Sequence, residues 1–216
     1  MLLISSMGGC ASTMIVNWFS KRTECNCPRN SEGLVEPGAG GNQLGLKHRI
    51  IPPLENDVPM HRDRVGESSG SEKITRAIFI FEDPRVISLS LFERKIASGH
   101  ALAITGTRPN HNNQLDRFLQ EGIDSFRFSE QFANWSNAEI QRPYFRMLVR
   151  GSQFWDLLPV ILSFAGLPEN YQAEFPPKRA RANRYDELDT KDKDRLDEIY
   201  RNLSSSIEGY PDCVII

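Results

Sequence analysis

A loop of small residues between two apolar segments is the first part of this chain with the composition to bind an anion. The loop is Gly8-Gly9-Cys10-Ala11-Ser12-Thr13, and it joins a predicted strand at residues 1–4 to a predicted helix at 12–22. Backbone N–H groups of such a loop, and of the helix N-terminus that follows it, can cradle a phosphate, and small side chains let the phosphate approach. The loop lacks the lysine of the Gly-x4-Gly-Lys-Ser/Thr pattern, and a structural turn is the alternative.

A single arginine marks a second candidate site for an anion. Residues 74–81 are nearly continuously apolar, with β-branched and aromatic side chains, and predict a strand buried on both faces. Arg85 follows that strand, and residues 86–97 predict a helix that contains Ser90. Open α/β sheets bind ligands at the carboxyl ends of their strands, and a guanidinium can hold phosphate through two parallel hydrogen bonds. A solvated arginine in a turn is the alternative interpretation.

A cluster of cations lies in the otherwise acidic last third of the chain. It contains Lys178, Arg179, Arg181 and Arg184 within seven residues. Such a cluster is typical of a phosphate-binding loop, of a nuclear localisation signal or of a solvated charged surface. The residues alone leave all three interpretations open.

The order of the predicted elements indicates the fold class. Beyond the strand and helix pairs already described, the sequence predicts helices within 113–133, a strand at 144–149, and helices at 154–165 and 191–207. This alternation predicts one domain over residues 1–216, with a three-layer α/β/α architecture and a central, mainly parallel sheet.

Composition excludes several classes of protein. The 216 residues include 26 Lys+Arg and 28 Asp+Glu, so there is no global basic field to favour duplex nucleic acid or an anionic membrane as a partner. No segment reaches the roughly 18 to 20 apolar residues of a membrane span. Residues 1–19 lack the basic start of a signal peptide, and we expect a cytoplasmic location. The four cysteines are unevenly spaced and the four histidines stand singly, so neither a disulfide framework nor a metal site is predicted.

Taken in order, these segments resemble the sulfotransferase family, whose members use 3′-phosphoadenosine 5′-phosphosulfate (PAPS). Residues 5–13 resemble the family's phosphosulfate loop, and residues 81–90 resemble its 3′-phosphate segment. Residues 157–168 are similar to the family's late helix, which ends in a Leu-Gly-Leu-Pro-like turn, and the cluster at 178–184 lies where the family has a basic loop. Two cations of the family pattern are missing, because Gly9 and Glu82 stand in their places.

The resemblance implies a fold, an activity and a set of site residues. The fold would be the P-loop-NTPase-like sulfotransferase fold, and the reaction would be sulfuryl transfer from PAPS to a hydroxyl or amine of a small-molecule or carbohydrate acceptor. His48 would be the general base and Lys47 would neutralise the leaving phosphate. The implied nucleotide-binding residues are Gly8, Gly9, Cys10, Ala11, Ser12, Thr13, Arg85, Ser90, Lys178, Arg179 and Arg181.

Several alternatives stay open at the level of sequence. The missing cations are also compatible with a catalytically inactive nucleotide-binding relative. An ATP-dependent kinase would use Asp83 to hold Mg²⁺ but would lack its loop lysine. Cys10 could act as a thiol nucleophile at a helix N-terminus, and His48 could be a solvated histidine without a catalytic role. Polar connections at 23–43, 53–73 and 98–115 favour a hydroxylated, carbohydrate-like acceptor over a flat phenol.

Overall fold

The computed structural model describes residues 1–23, 25, 48–54, 73–178 and 184–216. The strands of its sheet are β1 (Leu2–Ser6), β2 (Arg76–Phe81), β3 (Phe145–Arg150) and β4 (Cys213–Ile215), side by side in that order. The first three strands are parallel, and β4 is antiparallel to β3. The predicted α/β class with a mainly parallel sheet is confirmed. The connections predicted at 23–43 and 53–73 lie almost entirely outside the described residues.

The three parallel strands are buried along nearly their whole length. All five residues of β1 are buried, as are five of the six in β2. Alternate side chains of a strand point to opposite faces, so a strand buried at consecutive positions is covered on both faces. The helices that supply this cover make the architecture compatible with the predicted three layers. On one face, for example, the ring of Phe79 stacks on Trp135 at a centroid distance of 4.7 Å.

The described helices connect and cover these strands. They are α1 (Ser12–Ser20), α2 (Pro84–Glu93), α3 (Ala97–Thr105), α4 (Leu115–Glu121), α5 (Phe128–Ser136), α6 (Leu158–Ala165) and α7 (Thr190–Glu208). In the described part of the chain, none of them combines the length and the apolar content that a membrane crossing requires.

Several parts of the sequence prediction differ from the structure. The helix predicted at 154–165 begins only at Leu158, as α6. The helix predicted at 86–97 ends at Glu93, because Lys95 adopts a left-handed conformation with φ of 54°. The N–H of Lys95 bonds to Phe92 O, and that of Ile96 bonds to Leu91 O, which is the Schellman pattern usually built on glycine. The chain then enters α3, where a loop at 98–115 was predicted, and that prediction is wrong for residues 98–105. The strand β4 was not predicted.

A buried arginine fixes α5 on the sheet. Arg146 of β3 is 2% exposed, and its guanidinium donates to Trp135 O and Asn137 O at the end of α5. Carbonyl groups at a helix C-terminus carry partial negative charge, so they suit a cation. Burial lowers the pKa of Arg146. This contact matters for the site because α5 also carries side chains that reach the end of β1.

Candidate functional site

The loop after β1 turns sharply into α1. The N–H of Met7 still bonds to Ile80 O at 3.1 Å, and the chain then passes through positive φ angles of 108° at Gly8, 61° at Gly9 and 59° at Ala11. Ala11 is the N-cap of α1, and among the described residues no side chain caps this helix and no acid lies in its first turn. The positive end of the α1 dipole therefore faces the carboxyl edge of the sheet, where an anion is favoured.

The glycines of this loop are required by close packing. A Cβ on Gly8 would lie 2.4 Å from Cε1 of His100, and a Cβ on Gly9 would lie 3.3 Å from Cγ2 of Ile87 in α2. The resemblance expects a lysine or arginine at Gly9, but the left-handed backbone and the nearby helix leave this position to glycine. The Sγ of Cys10 donates to Gly8 O at 2.7 Å, so the thiol helps to close the turn.

Two histidines meet at the end of β1. Nδ1 of His48 lies 2.8 Å from Ser6 O, and Nε2 of His100 lies 3.0 Å from Met7 O. A carbonyl oxygen only accepts hydrogen bonds, so each of these ring nitrogens carries its hydrogen. The lone pair of neutral His48 is therefore on Nε2, which is the atom that a general base would use. Sequence reasoning predicted His48 and missed His100, which is a single histidine in a segment taken for a loop.

Helix α5 positions the backbone next to His48. Gln131 Nε2 donates to Ser6 O at 3.3 Å and to Arg49 O at 3.0 Å, and Trp135 Nε1 donates to Arg49 O at 2.8 Å. Both Ser6 and Gln131 are fully buried, yet Ser6 Oγ and Gln131 Oε1 have no hydrogen-bond partner among the residues that the structure describes. The histidines therefore lie in a polar cluster against the apolar core. Gln131 is a second residue that sequence reasoning missed.

Glu82 lies at the end of β2 and bonds to the neighbouring strand. Its Oε2 accepts the N–H of Ser152 at 2.6 Å, and its Oε1 accepts the N–H of Asp83 at 3.1 Å. Lys178 approaches the same place, because its Nζ donates to Ser152 O at 2.6 Å. A Cβ on Gly151 would lie 3.3 Å from that of Cys10. The β1 loop, Glu82 and Lys178 therefore share the carboxyl edge of the three parallel strands.

The guanidinium of Arg85 reaches α7. Its guanidinium bonds to Asp83 at 2.7 Å, to Asp197 at 3.1 Å and to Glu208 at 3.3 Å. The Asp83 and Asp197 carboxylates hold the pKa of Arg85 above its usual value. A cavity of about 370 Å³ beside Arg85 is lined otherwise by α7. A phosphate here would have to compete with three carboxylates.

The other predicted residues divide into three groups. Ser12 and Thr13 begin α1 and lie in the loop cluster. Ser90 is half-buried on α2, and at about 100° per residue it lies about 140° around the helix from Arg85, so the two do not share a face. Lys47, Arg179 and Arg181 lie outside the described residues.

Across residues 1–23, 25, 48–54, 73–178 and 184–216, no group of three or more His, Cys, Asp or Glu side chains is placed to hold a metal ion. Cys10 and Cys25 are buried, and Cys213 is half-buried.

Comparison of the chain with models of protein families, with curated proteins and with solved structures finds no match.

Proposed function

We propose that this protein is a PAPS-dependent sulfotransferase with the P-loop-NTPase-like sulfotransferase fold. The observation that carries the proposal is the 2.8 Å hydrogen bond from His48 to Ser6 O. It holds a base at the carboxyl end of the strand that leads into the anion-binding loop. Sulfuryl transfer needs those two parts side by side, because the acceptor must lose a proton where the phosphosulfate is bound.

The phosphosulfate end of PAPS fits the described residues. The Gly8–Thr13 loop, with its left-handed residues, and the N-terminus of α1 would offer backbone N–H groups and a positive dipole to the 5′-phosphosulfate. Lys178 lies at the same edge and adds a cation. Bound there, PAPS would supply the activated sulfuryl group.

His48 would move the proton in this reaction. Its Nε2 would accept the hydrogen of the acceptor hydroxyl or amine while the acceptor oxygen or nitrogen forms its bond to sulfur and the bond from sulfur to the 5′-phosphate oxygen breaks. Nδ1 of His48 stays bonded to Ser6 O, which stabilises the imidazolium that forms. The α1 N-terminus, Lys178 and Lys47 would stabilise the negative charge on the departing adenosine 3′,5′-bisphosphate.

Transfer of radiolabelled sulfate from PAPS to a panel of carbohydrate and hydroxylated small molecules tests the proposal. We expect transfer by the wild-type protein and a loss of at least 100-fold in kcat for His48→Ala, with binding of the bisphosphate retained, since general-base catalysis contributes about 10²- to 10⁴-fold. His111→Leu is the matched control, because His111 is also a buried histidine but packs on Phe92 and Phe118. Equal activity in His48→Ala and wild type would remove His48 from the mechanism.

A catalytically inactive nucleotide-binding protein is the second candidate function. Glu82 favours it, because an acid stands where the resemblance expects an arginine for the 3′-phosphate and is held there by the N–H of Ser152. The two candidates differ in one outcome: an inactive relative binds adenosine 3′,5′-bisphosphate but transfers no sulfate to any acceptor.

A further inference from the structure

The rings of His48 and His100 are in direct contact. Their centroids are 4.4 Å apart and their planes are inclined by 67°, so the edge of one ring meets the face of the other. Together the two rings bond to consecutive carbonyl groups, those of Ser6 and Met7. Rotation of the His48 ring would break its bond to Ser6 O and would have to pass this contact.

His100 is held in place on several sides. It is 9% exposed, lies in α3 and packs against Phe126 and Phe128 at centroid distances of 6.0 and 6.1 Å. Its Cε1 and Nε2 fill the space next to Gly8 that a Cβ would occupy. The ring of His48, which is half-buried, lies against this fixed surface. The position of His100 therefore restricts the orientation that the His48 ring can adopt.

We propose that His100 is a positioning residue that holds His48 as the tautomer protonated on Nδ1. The hydrogen bond made by one ring nitrogen decides which nitrogen keeps the lone pair. With Nδ1–H on Ser6 O, the lone pair of neutral His48 lies on Nε2, as base catalysis requires. The catalytic value of this tautomer rests on the proposed sulfotransferase function, whereas the tautomer itself does not.

The tautomer can be measured without any catalysis. In protein labelled with ¹⁵N-histidine, two-bond ¹H–¹⁵N correlations at pH 7.5 distinguish the protonated from the unprotonated ring nitrogen, and a His48→Gln spectrum assigns the His48 signals. In wild type we expect one His48 tautomer, protonated on Nδ1. In His100→Leu we expect loss of this single state and the appearance of the Nε2-protonated form.

Two further variants separate positioning from general loosening of the core. His100→Gln has an amide that can still donate to Met7 O, so we expect it to recover part of the Nδ1-protonated population. His111→Leu removes a buried histidine that also packs on Phe126, at 5.9 Å, and we expect the wild-type His48 spectrum. If His100→Leu does not fold, the partial loss expected in His100→Gln replaces it as the test, because that variant removes the ring and keeps a donor to Met7 O.

Three results would overturn the proposal. They are a wild-type His48 protonated on Nε2, a His48 spectrum unchanged by His100→Leu (or by His100→Gln, if His100→Leu does not fold), and an equal change in His111→Leu. Failure of the proposed function looks different, because a protein with the predicted tautomer that transfers no sulfate contradicts the sulfotransferase activity and leaves the role of His100 standing.

Discussion

The carboxylate of Glu82 accepts the backbone N–H of Ser152 at 2.6 Å, which joins the ends of β2 and β3 directly at the edge of the sheet. Its second oxygen accepts the N–H of Asp83. The Glu82 carboxylate would repel a phosphate. It also accepts two backbone N–H groups, those of Ser152 and Asp83, that could otherwise donate to a phosphate. Glu82 therefore stabilises the ends of the two strands, but it stands where the sulfotransferase pattern has a cation.

Glu82→Ala is expected to lower the free energy of unfolding by about 1–3 kcal/mol, because it removes the acceptor of two backbone donors. Glu82→Gln keeps an oxygen acceptor without the charge, and we expect a smaller loss. Urea unfolding of each variant measures the difference. Glu139→Ala, at an exposed glutamate, is the control, and an equal effect of the two alanine variants would contradict a specific role of Glu82.

Gly8→Ala is expected to destabilise the protein by about 2 kcal/mol or more. The new Cβ would meet His100 at 2.4 Å on a backbone with φ of 108°, where residues other than glycine are strained. Gly99→Ala is the matched control, since its Cβ would meet nothing within 4 Å and alanine is the better helix former by about 0.5–1 kcal/mol. Thermal unfolding should therefore move in opposite directions for the two variants.

Adenosine 3′,5′-bisphosphate at 100 times its Kd is expected to stabilise the protein by about 2.7 kcal/mol, or roughly 5 to 10 °C in Tm. ATP with Mg²⁺ should have less effect.

Lys178→Ala should weaken binding of the bisphosphate about 5- to 30-fold, through loss of about 1–2 kcal/mol, and Lys191→Ala on exposed α7 should not. Arg85→Ala should lower stability more than affinity, because its guanidinium already bonds to three carboxylates. Absence of any shift with the bisphosphate would contradict the nucleotide site.

His111 is expected to make stability fall in mild acid. Its Nδ1 accepts the N–H of Asn113, so its hydrogen is on Nε2, which is buried and has no partner in the described part of the chain. Burial lowers the pKa of His111. Above about pH 6.5 the histidine is neutral in both states, whereas below it the unfolded chain binds a proton that the native state does not.

The size of that effect has an upper limit. Stability should fall by at most about 1.4 kcal/mol per pH unit between the unfolded pKa and the lower folded one. His111→Leu removes this contribution, so the difference in unfolding free energy between wild type and variant should change between pH 7.5 and 5.5. A difference that is the same at both pH values would show that His111 does not titrate in this way.

Helix ends show what the sequence could and could not predict. The end of α6 was predicted from Gly166, which adopts φ of 74° as its C-cap. The end of α2 has the same hydrogen-bond pattern, but its left-handed residue is Lys95, which gives no local signal. The break in the helix, and α3 after it, therefore escaped prediction. Tertiary packing determines where a residue other than glycine adopts a left-handed conformation, and this packing cannot be inferred from a single sequence.

Some features of the candidate site were likewise predicted from the sequence, and others were not. The Gly8–Thr13 loop and His48 were recognised from residue type alone, because a run of small residues indicates anion binding and a histidine indicates a candidate base. The contact between His48 and His100 was not predicted, because it joins segments 52 residues apart that only the fold brings together. The direction in which Arg85 points was also missed, since it depends on the acidic residues Asp197 and Glu208 of α7.

The strand order has a consequence for how the chain folds. Each neighbouring pair of strands joins residues roughly 70 positions apart, as in Leu2 with Arg76, Arg76 with Phe145 and Met147 with Ile215. None of these pairings is a hairpin, so the loop-closure entropy of each must be lost before its contacts form. We expect slow folding, during which the helices form early and the apolar strands stay exposed to aggregation until the partner strands arrive.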